Sequence, residues 1–152
     1  MKVLFVDLEN VCRSPIAEGI LREKLKNLNI EGDVDSAGFE SFNINEPPDK
    51  RVVELANKYG YTLTGTARIF VTDDFEKFDK ILVMDTIAYN KVMELAKKDD
   101  HKNKVQYLMS YANGGKNESI PNPYYSGNAD CEIIFQMINS AVEKLADEIG
   151  KK

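Results

Sequence analysis

At 152 residues with 43% apolar content, the chain is long enough for one well-buried core and too short for two ordinary domains, so a single domain over 1–152 is expected. A net charge of −5 without any lysine-rich run excludes general nucleic-acid binding. No apolar stretch reaches membrane-spanning length and the N-terminus lacks the charged-then-apolar pattern of a secretory leader. Cys12 and Cys131 make no disulfide framework, so a cytoplasmic, reducing setting is expected.

In chain order, residues 3–6 (Val-Leu-Phe-Val) form a short apolar run, as in a parallel strand covered on both faces. Ser14-Pro15 signals a helix start, because proline's missing N–H is an orphan donor at that end in any case. Residues 15–29 then place Ile16, Ile20, Leu21, Leu25 and Leu28 along one stripe. A weaker strand lies near Val34. Helical period returns at 51–59, with Val52, Val53, Leu55 and Ala56 ahead of Gly60 as the stop signal.

Residues 80–84 read as a third strand, 86–98 as a helix and 105–109 as a fourth strand. Between the last two, the polar run 97–104 with His101 reads as a solvated turn. In residues 129–149, Ile133, Ile134, Met137, Ile138, Ala141, Leu145 and Ile149 recur at spacings of three and four. Cys131, at the start of this helix, reads as structural. Alternating strands and helices predict an α/β fold: one three-layer domain with a four-stranded parallel sheet and helices on both faces. Two loops stand apart, 38–48 with Phe39, Phe42 and Ile44, and 113–128 with three glycines, two prolines and Tyr124-Tyr125.

Residues 7–13 follow the first strand and end on a helix N-terminus, a place where backbone N–H groups converge and attract anions. Arg13 adds a planar fork suited to phosphate. Asp7 and Glu9 put negative charge at the same spot, against that geometry.

The frame Val6-Asp7-Leu8-Glu9-Asn10-Val11-Cys12-Arg13-Ser14-Pro15 resembles the phosphate loop of the low-molecular-weight protein tyrosine phosphatases, typically written VCLGNICRSP. Asp35-Ser36-Ala37-Gly38, Ala67-Arg68, Asp74-Phe75, Met84-Asp85 and Pro121-Asn122-Pro123-Tyr124-Tyr125 fall in order where that family has D-S-A-G, A-R, D-F, M-D and P-D-P-Y-Y. The resemblance implies a two-step reaction without a cofactor. A thiolate attacks phosphorus while an aspartic acid protonates the leaving phenol, and water then hydrolyses the cysteinyl-phosphate. Carried over residue by residue, the nucleophile position is Asp7, the general-acid position is Asn122, and Arg13 holds the transferring oxygens. Leu8, Glu9, Asn10, Val11, Cys12 and Ser14 complete the loop, and Phe42, Tyr124 and Tyr125 form the substrate wall. No metal ligands are implied.

Both reacting groups are thus changed. A carboxylate holds its oxygens farther from Cβ than a thiolate holds sulfur, and a displacement near ~1 Å costs about 10²-fold where in-line geometry is required. The amide of Asn122 cannot donate an acidic proton, a loss of about 10²–10⁴-fold. Glu9 stands where the family has glycine, a position that suggests a left-handed backbone. At ~5 Å from a phosphate charge and an effective dielectric of ~20, its carboxylate repels by about 3 kcal/mol.

The expected function is a catalytically impaired homologue, a pseudophosphatase, in which Arg13 pairs internally with Asp7 or Glu9. The expected partners are a phosphotyrosine protein or a small phosphoester or anion, with no nucleic acid and no membrane, the chain being a monomer or weak homodimer. The alternative is an active phosphomonoester hydrolase, either with weak family activity or with Asp7 as a carboxylate nucleophile assisted by Mg²⁺, as in D-x-D phosphatases. The arsenate reductases share the implied fold, but their resolving cysteines have no evident equivalent near this loop. Cys12, beside Arg13, reads as a packed loop residue rather than a reactive thiol.

Overall fold

A computed structural model of the chain describes residues 1–123 and 128–151. Four strands, β1 (Lys2–Val6), β2 (Asp33–Ala37), β3 (Lys80–Val83) and β4 (Val105–Tyr107), form one parallel sheet in the order β2-β1-β3-β4. Helix α1 (Arg13–Asn27) joins β1 to β2. Helices α2 (Lys50–Lys58) and α3 (Asp74–Lys77) precede β3, α4 (Thr86–Leu95) and α5 (Asp99–Asn103) precede β4, and α6 (Asn128–Gly150) closes the described chain.

The continuous apolar run of β1 is explained by burial on both faces. Val3 and Phe5 point into a core built with α1, α2 and α6, whereas Leu4 and Val6 point into a second core with Phe70, Phe75, Phe78, Ala88 and Val92. In β3 the alternation continues, Leu82 on the first side and Ile81 and Val83 on the second. All four side chains of residues 3–6 are fully buried. At roughly 1.5–3 kcal/mol for each such side chain, this strand anchors the domain.

β2 lies on one side of β1 and β3 on the other. The chain therefore changes direction across the sheet at β1, and the loop leaving the carboxyl end of β1 opens at the switch point where such sheets bind ligands.

Several boundaries differ from the sequence reading. The first helix begins at Arg13 with Cys12 as its N-cap, and the Ser14 N–H goes to the Asp7 carboxylate instead of to a cap. The fourth strand stops at Tyr107 because residues 108–111 turn into a 3₁₀ segment. Ile133, counted in the last helical stripe, is 61% exposed, while Phe135, omitted from it, is buried and stacks on Tyr59 at 5.0 Å. Residues 97–104 are not simply a solvated turn. They contain α5, and His101 is buried, stacked on Phe75 at 4.6 Å and bonded through Nε2 to Glu76 at 2.6 Å. A polar run hid an aromatic contact made across the fold.

Gly38 shows why the D-S-A-G segment ends in glycine. A Cβ there would lie 2.9 Å from both the Asn10 Cβ and the Leu8 carbonyl oxygen, so any side chain pushes the β1 loop outward. Gly38→Ala is expected to destabilise the fold by about 1–3 kcal/mol, read as a lower midpoint in urea unfolding at unchanged slope.

Candidate active site

The β1 loop is closed by hydrogen bonds to its own first residue. Asp7 Oδ1 accepts the Asn10 N–H at 2.5 Å and Oδ2 accepts the Ser14 N–H at 2.8 Å. Asp7 is 1% exposed, and burial pushes its carboxyl pKa up, against the pull of the Arg13 charge and of these amide bonds. Neighbouring backbone fixes the rest of the loop. The Leu8 carbonyl accepts the N–H groups of Phe39 and Glu40, and the Val11 carbonyl accepts that of Asp49.

Asn10 is the pin. Its backbone is left-handed, with φ of 60°. Its Nδ2 donates to the hydroxyls of Ser14 at 2.8 Å and Ser36 at 2.9 Å, while its Oδ1 accepts the Arg68 N–H at 3.0 Å. The left-handed residue of the loop is therefore Asn10 and not Glu9, and asparagine tolerates that region better than other side chains do. Ser36 passes the network on to Glu18, whose carboxyl it meets at 2.6 Å, and Glu18 pairs with Arg22 at 2.7 Å. Arg68 in turn is clamped by Asp35 and by both oxygens of Asp74.

Arg13 does not pair as the sequence suggested. Neither Asp7 nor Glu9 takes its guanidinium. Nη1 donates to Asp85 Oδ2 at 2.6 Å and to the Ile120 carbonyl at 2.7 Å. Asp85 serves two elements, since its Oδ1 caps α4 through the Ala88 N–H. Asp85 was the functional-site residue that sequence reasoning passed over, and its only signal was the Met84-Asp85 motif. Arg13 is 2% exposed, and its Nε is buried with no hydrogen-bond partner among the described residues.

Glu9 turns toward residue 122. Asn122 Nδ2 donates to Glu9 Oε1 at 2.9 Å and Oε2 at 2.7 Å. Glu9 and Asn122, set apart separately in the sequence reading, thus meet as a bonded pair. Burial pushes the Glu9 carboxyl up, partly offset by the Asn122 bond and reinforced by the Asp7 charge. The segment 120–123 is further fastened by Arg51 Nη2 to the Pro123 carbonyl at 3.0 Å and by the Ile120 N–H to the Met84 carbonyl at 2.8 Å.

Cys12 is 1% exposed, and burial, with Asp49, Asp7 and Glu9 adding to it, pushes its thiol pKa up. An inert, packed thiol follows. Cys131 is also buried, its thiol directed to the Pro123 carbonyl. Phe42 sits on a 3₁₀ turn at 75% exposure. Tyr124 and Tyr125, the other expected wall residues, lie outside the described residues. Among the described residues no group of three or more His, Cys, Asp or Glu is arranged to hold a metal ion, and no helix is long and apolar enough to cross a membrane.

The family model for low molecular weight phosphotyrosine protein phosphatase matches residues 2–152. The chain belongs to this family. It is 36% identical over 140 residues to the low molecular weight phosphotyrosine protein phosphatase of Homo sapiens, an alignment covering 88% of this chain and 86% of the relative. With the low molecular weight protein-tyrosine-phosphatase YfkJ of Bacillus subtilis it shares 33% identity over 157 residues, 100% of this chain and 97% of the relative. A solved protein tyrosine phosphatase from Entamoeba histolytica superposes with a TM-score of 0.92 at 29% identity, covering 99% and 97% of the two chains. The four-stranded parallel sheet expected from the sequence is the fold of this phosphatase family.

Burial ties the stability of the loop and of its Glu18 support to pH. Asp7, Glu9 and Glu18 all have carboxyl pKa values raised in the folded protein from ordinary values of 3.8, 4.5 and 4.5. A raised acid binds its proton more tightly when folded. The stability it adds is full below the ordinary value and is lost as pH rises through the folded one. These carboxyls are therefore expected to add stability as the pH is lowered, with Glu18→Gln flattening that part of the melting-temperature profile in calorimetry. A profile that Glu18→Gln leaves unchanged contradicts this assignment.

Proposed function

We propose that this chain is a catalytically disabled member of the phosphatase family, a binding module directed at a phosphotyrosine protein or a small anion rather than an efficient hydrolase. The observation that carries this reading is the Asp7 carboxylate. Its two oxygens accept the Asn10 and Ser14 amides inside the loop, and loop amides are the donors expected to steady the oxygens of a transferring phosphoryl group. A side chain engaged in that way occupies the site instead of attacking from it. The amide at 122, held by Glu9, supports the same reading, since it offers no acidic proton to a leaving phenol.

The test is p-nitrophenyl phosphate hydrolysis by the unaltered chain, with and without Mg²⁺. No rate above the buffer blank is expected in either case. Efficient turnover without Mg²⁺ overturns the reading, and Mg²⁺-dependent turnover replaces it with a carboxylate-nucleophile hydrolase.

A further inference from the structure

The loop holds two features that pull against each other. Asp7 already sits on the Asn10 and Ser14 amides at 2.5 and 2.8 Å, and both of its oxygens act as acceptors, the bonding pattern of a carboxylate. Yet Arg13, at the N-terminus of the 15-residue α1, keeps a fully buried Nε–H without an acceptor among the described residues. A buried donor left unmade is costly, so this fork edge is set for an acceptor that the described residues do not supply. A dianion entering beside an ionised Asp7 meets direct repulsion, with Glu9 adding to it.

We infer that the loop takes a tetrahedral oxyanion only together with one proton, and that the Asp7 carboxyl group holds that proton. This deepens the proposed function and rests on its placing of Asp7 as occupant of the loop. The step is an association without covalent change. The anion accepts from Arg13 Nε, the proton neutralises Asp7, and the resulting hydroxyl turns from competing with the anion to donating toward it. The charged groups around the pair come from several elements. Arg13 acts on both Asp7 and Glu9, Glu40 faces Glu9 from the loop after β2, and Asp85 holds Arg13 from the start of α4. Asp49 and Arg51, at the start of α2, face the same loop through Cys12.

Sulfate is the probe of choice, because it stays a dianion between pH 5 and 7.5 and brings no proton of its own. Calorimetric titration of the unaltered chain, in two buffers of different ionisation heat, is expected to show uptake of about one proton per sulfate and affinity rising about tenfold per pH unit of acidification. Asp7→Asn is expected to bind sulfate with affinity nearly independent of pH, and Glu9→Gln to keep the slope. Proton uptake near zero, no binding at either pH, or a slope lost in Glu9→Gln and kept in Asp7→Asn each overturns the inference. The buffer comparison needs no variant, so a misfolded Asp7→Asn leaves the test intact. Phenyl phosphate and inorganic phosphate, compared at pH 5, distinguish a phosphoester from the free ion as the source of the oxyanion. Both are mainly monoprotonated at pH 5 and bring the proton with them, so binding with little net proton uptake supports the inference, and uptake of a full further proton with both opposes it. Hydrolysis of p-nitrophenyl phosphate is followed on the same sample, so turnover, which overturns the disabled-enzyme reading, is seen separately from a missing proton.

Discussion

The triple variant Asp7→Cys, Glu9→Gly, Asn122→Asp is expected to hydrolyse p-nitrophenyl phosphate at least ~10⁴-fold faster than the unaltered chain. A misplaced attacking atom costs about 10²-fold and a missing general acid about 10²–10⁴-fold, and since both act on one transition state their product is only a guide. The gain requires that the remaining machinery be in place. The structure holds Arg13 at the loop through Asp85 and Ile120, and Asn10 pins the loop through three side-chain bonds. Steady-state rates on the folded triple variant check this. A folded variant without turnover would mean that the loop carries a lesion beyond these three positions.

The single substitutions are not expected to add up to the triple. Asn122 donates to both oxygens of Glu9 within 2.9 Å. Asn122→Asp alone replaces that donor with a second carboxylate facing the first, a repulsion of about 4 kcal/mol at ~4 Å and an effective dielectric of ~20. Glu9→Gly alone leaves the Asn122 amide without those acceptors. The two together remove the conflict. A double-mutant cycle on melting temperature therefore shows coupling of about 0.5–3 kcal/mol, with Asn122→Asp the worst of the set. Coupling at this pair means that residues 9 and 122 form one unit.

Much of the fold was legible because burial leaves a periodic trace. The two-faced β1 run, the stripes of α1 and α6 apart from the exposed Leu28 and Ile133, and the glycine after α2 follow from local spacing. What escaped the reading was made by contacts between distant segments. The His101 stack on Phe75 joins residues that no period connects, and Asp85 gains its role from Arg13, which lies far earlier in the chain. The Arg13 pairing was misjudged for the same reason. Asp7 and Glu9 were the nearest charges in sequence, whereas the acceptors that won were an N-cap carboxylate and a backbone carbonyl brought in by tertiary structure. Glu9 and Asn122, each noted as a separate departure, became intelligible only as a bonded pair.

Asn10→Ala is expected to cost about 3 kcal/mol or more, lowering the melting temperature by roughly 6–12 °C. The substitution removes two donors and an acceptor in buried surroundings, stranding the Arg68 N–H and taking bonds from the hydroxyls of Ser14 and Ser36. The serines lose less than Arg68 does, since the Ser36 hydroxyl still donates to Glu18 and an acceptor without a donor is the cheaper orphan. Alanine also inherits a φ of 60°, a region costly for a side chain lacking asparagine's local bonding. Asn10→Gly separates the two causes. It loses the same three bonds but not the backbone freedom, so it is expected to be less destabilising than alanine by about 1 kcal/mol. Equal losses for alanine and glycine would place the whole effect on hydrogen bonding. In both variants the Asn10 backbone N–H still reaches Asp7, so the carboxylate keeps its place in the loop while the frame around it loosens. Stability then falls without restoring turnover, which separates a weakened scaffold from a repaired active site.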